Sequence, residues 1–141
     1  PGPVLTNSRE ELQNLIKQPI YRNVLKISET ADVSFVGMAG IDLDAPILVD
    51  GFITEVEARE LLKQGAVGEI LGHFFDAEGK LIDHELNQRN TSANLENLKT
   101  IQTICISGGS TKHQSFNAAL RGGWLNGLVT DEYTANALIS D

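Results

Sequence analysis

The residues best suited to do chemistry lie in one glycine-containing turn, Gly108-Gly109-Ser110-Thr111-Lys112. Two adjacent glycines let the backbone approach a ligand closely, because no Cβ stands in the way. Ser110 and Thr111 offer hydroxyl groups, and Lys112 adds a full positive charge. A helix that begins at this turn would also present unpaired N–H groups with positive dipole character. This combination suits the binding of a phosphate or another small anion.

A second interpretation of the same turn needs no ligand. The spacing G-x-x-x-x-G-K-[ST] is absent, so the turn is not a P-loop. Gly108-Gly109 could simply make a tight connection between a strand and a helix, with Ser110 as the helix cap. The turn alone does not decide between an anion site and a plain connection.

The elements around the turn are typical of a βαβ unit. The apolar, β-branched run Ile104-Cys105-Ile106 predicts a buried strand before it. A helix-forming segment follows and stops at Gly122-Gly123. The predicted buried face of that helix consists of Phe116, Ala119 and Leu120. A second apolar run, Leu125 to Val129, predicts another strand, so the two strands should belong to a parallel sheet.

The last segment, from Asp131 to Ile139, predicts a helix capped by Thr130. Asp131 and Glu132 would then lie in its first turn, where negative charge is favoured. The alternative is that one of these carboxylates accepts a hydrogen bond from a sugar hydroxyl.

The N-terminal third predicts two helices and a strand. Asn7 or Ser8 can cap the first helix, and Pro19 can begin the second, so we expect both helices to pack on the sheet. Residues 32–41 read as one strand that ends in a glycine-containing loop. Residues 42–51 predict a loop without regular structure. Open α/β sheets bind ligands in such loops, but taken alone this segment is better explained as a plain connection.

The middle of the chain carries two clear helix-boundary signals. Thr54 and Glu57 have the spacing of a capping box, and Gly65 is the expected left-handed residue at the end of the same helix. The following run, 69–75, predicts a single strand.

The period of two along that strand would place Glu69 and His73 on one face. Glu78-Gly79 predicts a turn that returns the chain as an edge strand at Leu81-Ile82. The polar residues 83–96 predict a loop or surface excursion.

Composition limits the classes of function. The 141 residues suit one domain, and a formal net charge of −8 argues against direct binding of nucleic acid by these residues. No apolar run approaches the roughly 20 residues that span a bilayer, and there is no signal-peptide pattern. The single cysteine, Cys105, reads as a core residue, and the three histidines lack the spacing of a zinc site. We therefore expect a cytoplasmic protein with no metal and no cofactor.

Five segments together resemble the effector-binding domain of SorC/DeoR-type sugar-binding transcriptional regulators. They occur in the order and spacing of that family, and the resemblance covers roughly residues 3 to 139. The segments are Gly65-Ala66-Val67-Gly68-Glu69, Phe74-Phe75-Asp76-Ala77-Glu78-Gly79, Gly108-Gly109-Ser110-Thr111-Lys112, Ala118-Ala119-Leu120-Arg121-Gly122-Gly123 and Leu128-Val129-Thr130-Asp131-Glu132.

The resemblance implies an α/β fold with a Rossmann-like parallel sheet flanked by helices and a small antiparallel edge. Such a fold is similar to those of sugar-phosphate isomerases and deaminases. It also implies a phosphorylated sugar as effector. Carried over position by position, Lys112 contacts the phosphate, Glu69 meets sugar hydroxyls, and Asp76 and Asp131 lie near the pocket. The ligand-binding set expected on this basis is Gly68, Glu69, Asp76, Gly108, Gly109, Ser110, Thr111, Lys112 and Asp131.

Effector domains of this family are about twice as long as this chain. Residues 1–141 therefore look like the C-terminal part of a single sugar-binding domain, without its first part and without the N-terminal helix-turn-helix that binds DNA. The family also implies a homo-oligomer, a dimer or a tetramer. Two alternatives stay open at this stage: a sugar-phosphate isomerase or deaminase on the same fold, and a dimerisation module with a vestigial pocket.

Overall fold

The computed structural model describes residues 3–140 and contains two three-stranded sheets flanked by helices. The parallel sheet has the order β1-β5-β6, and the antiparallel sheet has the order β2-β3-β4. The strands are β1 (Val33–Val36), β2 (Ala39–Gly40), β3 (Ala66–Ile70), β4 (His73–Asp76), β5 (Gln102–Ile106) and β6 (Gly127–Val129). The helices are α1 (Arg9–Ile16), α2 (Pro19–Glu29), α3 (Pro46–Val49), α4 (Glu55–Lys63), α5 (Glu85–Gln88), α6 (His113–Arg121) and α7 (Glu132–Ser140). None of these helices is long and apolar enough to cross a membrane. The predicted fold class, a parallel sheet flanked by helices with a small antiparallel part, is confirmed.

The predicted βαβ unit around the glycine turn is confirmed. β5 pairs in parallel with β6, with Cys105 opposite Leu128, and α6 lies between them along the chain. Phe116 and Ala119 on α6 are completely buried, as the sequence predicts. The prediction that Leu120 belongs to the same buried face is wrong, because its side chain is 44% exposed.

Two long predicted strands are each divided in the structure. The predicted strand 32–41 is wrong because the chain changes sheet at Gly37 and Met38: Val36 pairs with Cys105 in the parallel sheet, whereas Ala39 pairs with Glu69 in the antiparallel one. The backbone between these two positions leaves one ladder and joins the other.

The predicted strand 69–75 is likewise two strands joined by a tight hairpin turn. Leu71 and Gly72 both have positive φ, +53° and +74°, the geometry that suits a two-residue hairpin. Residues directly opposite in an antiparallel pair share a face, and His73 lies opposite Ile70. Glu69 and His73 therefore point to opposite faces, and the prediction that they share one is wrong.

The predicted loops at 42–51 and 83–96 contain short helices instead. α3 and α5 are each four residues long, and each contributes one buried apolar side chain, Ile47 or Leu86, to the core. Leu81 forms an isolated bridge with Phe75, so the predicted edge strand at Leu81-Ile82 is reduced to a single β-bridge.

The helix-boundary signals of the middle segment are confirmed. Thr54 accepts the Glu57 amide, and Glu57 accepts the Thr54 amide, which completes the capping box of α4. Gly65 has φ +88°, the left-handed conformation expected after the helix.

α7 is capped by Asp131 and not, as predicted, by Thr130. The Asp131 carboxylate accepts the Thr134 amide at 2.8 Å and the Thr134 hydroxyl at 2.9 Å. A carboxylate can accept both donors at once, which a threonine hydroxyl cannot do equally well.

The two N-terminal helices do not pack on the sheet, so that prediction is wrong. Neither α1 nor α2 contains a buried residue, and they contact each other. Tyr21 on α2 donates a hydrogen bond to the Thr91 carbonyl, whereas Ile20 and Ile27 on the same helix are exposed. Ser8 is the cap of α1 and accepts the Glu11 amide.

The two faces of the parallel sheet differ in burial. On one face Val36 and Cys105 are buried in the same core cluster as residues of α6. On the other face Phe35 is 63% exposed, Ile106 55% and Val129 56%. Parallel sheets in known folds are covered on both faces, so this apolar face is an uncovered surface within the described residues.

Candidate functional site

The carboxyl ends of all three parallel strands meet around Ser107. The Ser107 amide donates to the Val129 carbonyl at 3.2 Å, which joins the ends of β5 and β6. Its hydroxyl donates to the Met38 carbonyl at 3.0 Å, just after β1. This edge is where open α/β sheets bind ligands.

Lys112 lies at the same edge, at the end of the single 3-10 turn that leads into α6. Its ammonium group donates to the Ser107 hydroxyl at 2.8 Å, and the residue is only partly exposed. The predicted phosphate-binding cation is therefore held at this edge of the sheet by a hydrogen bond and does not extend into bulk solvent.

Glu69 reaches the same edge from the antiparallel sheet. It lies opposite Ala39, and its Oε2 accepts the Gly72 amide of the hairpin turn at 2.7 Å. Burial raises the pKa of the Glu69 carboxyl above its usual value, and the Gly72 amide and the Lys112 ammonium oppose part of that rise. The fold thus brings together the two residues to which the sequence assigned the main ligand contacts.

We expect Glu69→Gln to stabilise the ligand-free protein at neutral pH. Because the folded chain holds the Glu69 proton more tightly than the unfolded chain, ionisation of this carboxyl destabilises the fold as pH rises above the ordinary value of 4.5. A glutamine does not titrate, and its carbonyl can still accept the Gly72 amide. The difference in Tm between variant and wild type should be positive near pH 7.5 and shrink toward about pH 4.

Thermal unfolding measured across this pH range tests the prediction. Glu78→Gln is the matched control, because Glu78 is an exposed carboxylate and should give no such pH-dependent difference. A variant less stable than wild type at neutral pH would show that the Glu69 carboxylate stabilises the empty site.

A cavity of about 410 Å³ opens beside Glu69. Its apolar walls include Met38 after β1, Ile47 on α3, and Phe52. Two charged residues line it, Glu69 and Asp50, and both are acidic. A volume of this size is within the range of pockets that bind small molecules.

The glycine turn offers fewer free amides than the sequence suggests. Gly109 has φ +115°, and its N–H is shared between the Asp131 carboxylate and the Thr134 hydroxyl, each at 3.0 Å. Ser110 and Thr111 are exposed and begin the turn, so helix geometry leaves their amides without intrahelical partners. An anion at this turn would therefore contact the Ser110 and Thr111 amides and Lys112.

Gly108 and Asp131 hold the turn against α7. A Cβ on Gly108 would lie 2.2 Å from Asp131 Oδ2, so only glycine allows this approach. The hydrogen bonds from Thr134, with a smaller contribution from the Gly109 amide, lower the pKa of the Asp131 carboxyl. Asp131 therefore serves as a helix cap and as a partner of the turn.

Gly68 and Asp76 have local structural roles in the antiparallel sheet. Gly68 lies against Ser115 of α6, where a Cβ would come within 2.7 Å of the Ser115 Cβ. Asp76 accepts the Glu78 amide at 3.1 Å and the Lys80 amide at 2.8 Å, an interaction that closes a turn. Asp76 pairs with Ala66, at the end of the hairpin away from Glu69, so the structure does not bring it to the cavity.

Sequence reasoning missed Ser107, Ile47 and Phe52. Ser107 directly follows the β5 strand, and the strand-end rule for α/β sheets could have identified it. Ile47 and Phe52 carried no signal of their own, because α3 was predicted as a loop. Burial raises the pKa of the Cys105 thiol to about 11, which agrees with a core role. Within residues 3–140 the structure contains no cluster of three or more His, Cys, Asp or Glu residues that could hold a metal ion.

Fold and site together define the class of protein: a small-molecule-binding α/β domain. At the carboxyl edge of its parallel sheet, a cavity is lined by the Glu69 carboxylate, and the Lys112 ammonium lies next to that cavity. The chain belongs to the sugar-binding domain family of SorC/DeoR-type transcriptional regulators, because the model of that family, Sugar-bind, matches residues 1–140.

Similar proteins include several bacterial regulators. The erythritol catabolism regulatory protein EryD of Brucella abortus is 35% identical over 139 residues, which are 99% of this chain and 44% of EryD. The transcriptional regulator LsrR of Klebsiella pneumoniae is 37% identical, with 99% of this chain and 45% of LsrR covered. The chain thus spans less than half the length of these relatives.

Solved structures agree with the fold. A DeoR family transcriptional regulator from Listeria monocytogenes superposes with a TM-score of 0.92 at 28% identity, and the match covers 97% of this chain and 56% of that one. The full-length sorbitol operon regulator SorC from Klebsiella pneumoniae gives a TM-score of 0.91 over 99% of this chain and 46% of that one. At 23% identity, the likeness to SorC concerns the fold alone.

Proposed function

We propose that this chain is the effector-binding part of a bacterial transcriptional regulator and that it binds a phosphorylated sugar. The observation that carries the proposal is that Glu69, from the antiparallel sheet, and Lys112, from the turn after β5, meet at the carboxyl edge beside a cavity of about 410 Å³. Membership of the sugar-binding domain family and the regulators among its relatives support the same function.

In this proposal, different protein groups bind the phosphate and the hydroxyl groups of the ligand. The Lys112 ammonium and the amides of Ser110 and Thr111 would hold the phosphate, because charge-assisted hydrogen bonds to anions are the strong ones. The Glu69 carboxylate would accept hydrogen bonds from sugar hydroxyls. Binding would then favour one arrangement of the regulator over another and so alter DNA binding by a separate helix-turn-helix domain.

We further propose that residues 1–141 form part of a single, longer effector domain. Phe35, Ile106 and Val129 leave one face of the parallel sheet apolar and exposed, and the relatives are more than twice as long as the matched region. Further residues of the same polypeptide would cover this face. In the proposal the complete regulator is a cytoplasmic homo-oligomer, and its DNA-binding domain precedes the effector domain.

We propose that the domain binds its ligand and does not catalyse a reaction on it. The relatives are regulators, and both candidate groups already have structural partners: Glu69 accepts the Gly72 amide, and Lys112 donates to Ser107. Incubation with ribose 5-phosphate and glucosamine 6-phosphate tests the enzyme alternative, since either an isomerase or a deaminase would convert one of them.

A thermal-shift panel tests the proposed function on the full-length protein that carries these residues. The panel contains four- to six-carbon sugar and polyol phosphates, with the free sugars and inorganic phosphate as controls. A true effector at 100 times its Kd adds about 2.7 kcal/mol, which raises Tm by roughly 5–10 °C. The same compound should change the affinity for operator DNA. If no compound raises Tm at millimolar concentration, the pocket is vestigial and the proposal fails.

A further inference from the structure

The cavity beside Glu69 has an unusual charge balance for a site that would hold a phosphorylated ligand. Its two charged lining residues, Glu69 and Asp50, are both carboxylates. Asp50 follows α3 directly and is exposed to solvent, whereas Glu69 is partly buried. Among the described residues that line this cavity, none is a lysine, an arginine or a histidine.

The positive charge lies next to the cavity, on Lys112. The ammonium is bonded to Ser107, which in turn donates to the carbonyl of Met38, a lining residue. One ammonium group and the amides of one turn can hold one phosphate. Asp131, a third carboxylate, lies against the same turn and accepts the Gly109 amide.

A phosphate inside the cavity itself would face two carboxylates, and none of the described lining residues would supply a compensating cation. Like charges at close range disfavour each other's ionised form, and partial burial strengthens the effect. Hydroxyl groups behave in the opposite way, because they donate hydrogen bonds to carboxylates.

We propose that the effector carries a single phosphate, held at Lys112, and that the part of it inside the cavity is an uncharged, polyhydroxylated carbon chain. A sugar with a second phosphate on that chain is rejected by Glu69 and Asp50. This inference rests on the proposed function and specifies the ligand class of the same site.

Calorimetry on the full-length protein tests the inference with matched ligands. Fructose 6-phosphate and fructose 1-phosphate are compared with fructose 1,6-bisphosphate, and ribose 5-phosphate with ribose 1,5-bisphosphate. Any monophosphate that binds should bind at least about tenfold more tightly than its bisphosphate. A bisphosphate that binds as tightly or more tightly overturns the inference and leaves the proposed function intact. If neither these compounds nor the wider thermal-shift panel binds, the proposed function fails, and this inference fails with it.

The variant Asp50→Asn tests whether the carboxylates of this cavity cause the weaker binding of bisphosphates. Removing one of the two carboxylates should reduce the ratio of bisphosphate to monophosphate Kd about three- to tenfold, mainly through tighter bisphosphate binding. Asp44→Asn is the control, because Asp44 is an exposed carboxylate that does not line the cavity and should leave the ratio unchanged. An equal ratio in wild type and Asp50→Asn would remove Asp50 from the selection.

Discussion

Replacing Lys112 with methionine should weaken binding of the phosphorylated effector roughly 10- to 150-fold. A charge-assisted hydrogen bond to a phosphate contributes on the order of 1.5–3 kcal/mol, and each 1.4 kcal/mol corresponds to a factor of ten. Lys112 can make this contact without a large rearrangement, because Ser107 already holds its ammonium group at the carboxyl edge of the sheet. Methionine keeps the length and apolar character of the side chain but removes the charge. The measurement is calorimetric titration of the full-length protein with the best compound of the panel.

Two comparisons separate ligand binding from a structural effect. Lys63→Met removes an exposed lysine at the end of α4 and should leave the affinity unchanged. Lys112→Met should also raise the pKa of Glu69 further, because the ammonium normally lowers it. Unchanged affinity in Lys112→Met would exclude Lys112 from the site. A loss of affinity matched by general unfolding would assign it a structural role.

The sequence predicts the local features of this fold well because their causes are local. The helix stop at Gly65 and the capping box of Thr54 and Glu57 depend on residues within one turn, and both occur in the structure. The βαβ unit around Gly108-Gly109 is likewise signalled by an apolar run, a glycine pair and a helical period, all contiguous in the chain.

The failures have tertiary causes. The hairpin at Leu71-Gly72 requires a leucine with positive φ, which intrinsic propensity does not predict, and pairing between β3 and β4 stabilises it. α3 is too short for a detectable helical period, and burial of Ile47 fixes it. The prediction of Thr130 as the cap failed because the Asp131 carboxylate is also held by the Gly109 amide, which lies in a distant part of the chain.

The candidate site likewise combines features that the sequence predicts with features that depend on tertiary packing. Residue types in the glycine turn identified Lys112 as suited to a phosphate, whereas only the family resemblance gave Glu69 its expected role with sugar hydroxyls. Their proximity could not be derived from the sequence, because it depends on how β3 and α6 pack. Asp76, another expected site residue, carries a carboxyl group like Glu69 but lies at the other end of the hairpin. Residue chemistry and family resemblance therefore selected the candidates, and packing decided which of them lie close together.

Gly68→Ala should destabilise the protein by about 1–3 kcal/mol and weaken effector binding as well. A Cβ at this position would lie 2.7 Å from the Ser115 Cβ and 3.0 Å from the Ala39 carbonyl oxygen, so β3 and α6 would have to separate. β3 carries Glu69 at the next position, and α6 directly follows Lys112. Chemical denaturation measures the stability loss, and Gly37→Ala is the control, since a Cβ on Gly37 meets no atom within 4 Å.

A second substitution distinguishes packing from ligand contact at Gly68. Ser115→Gly removes the Cβ and hydroxyl that the new alanine would meet, although it also loses the hydrogen bond from Ser115 to the Val67 carbonyl. If packing is the cause, the double variant Gly68→Ala/Ser115→Gly should be more stable than the sum of the two single effects by roughly 1–2 kcal/mol. Strict additivity would mean that the two residues do not compete for space. A Gly68→Ala protein with full stability and lost binding would instead make Gly68 a ligand contact, the role that the family resemblance implies for it.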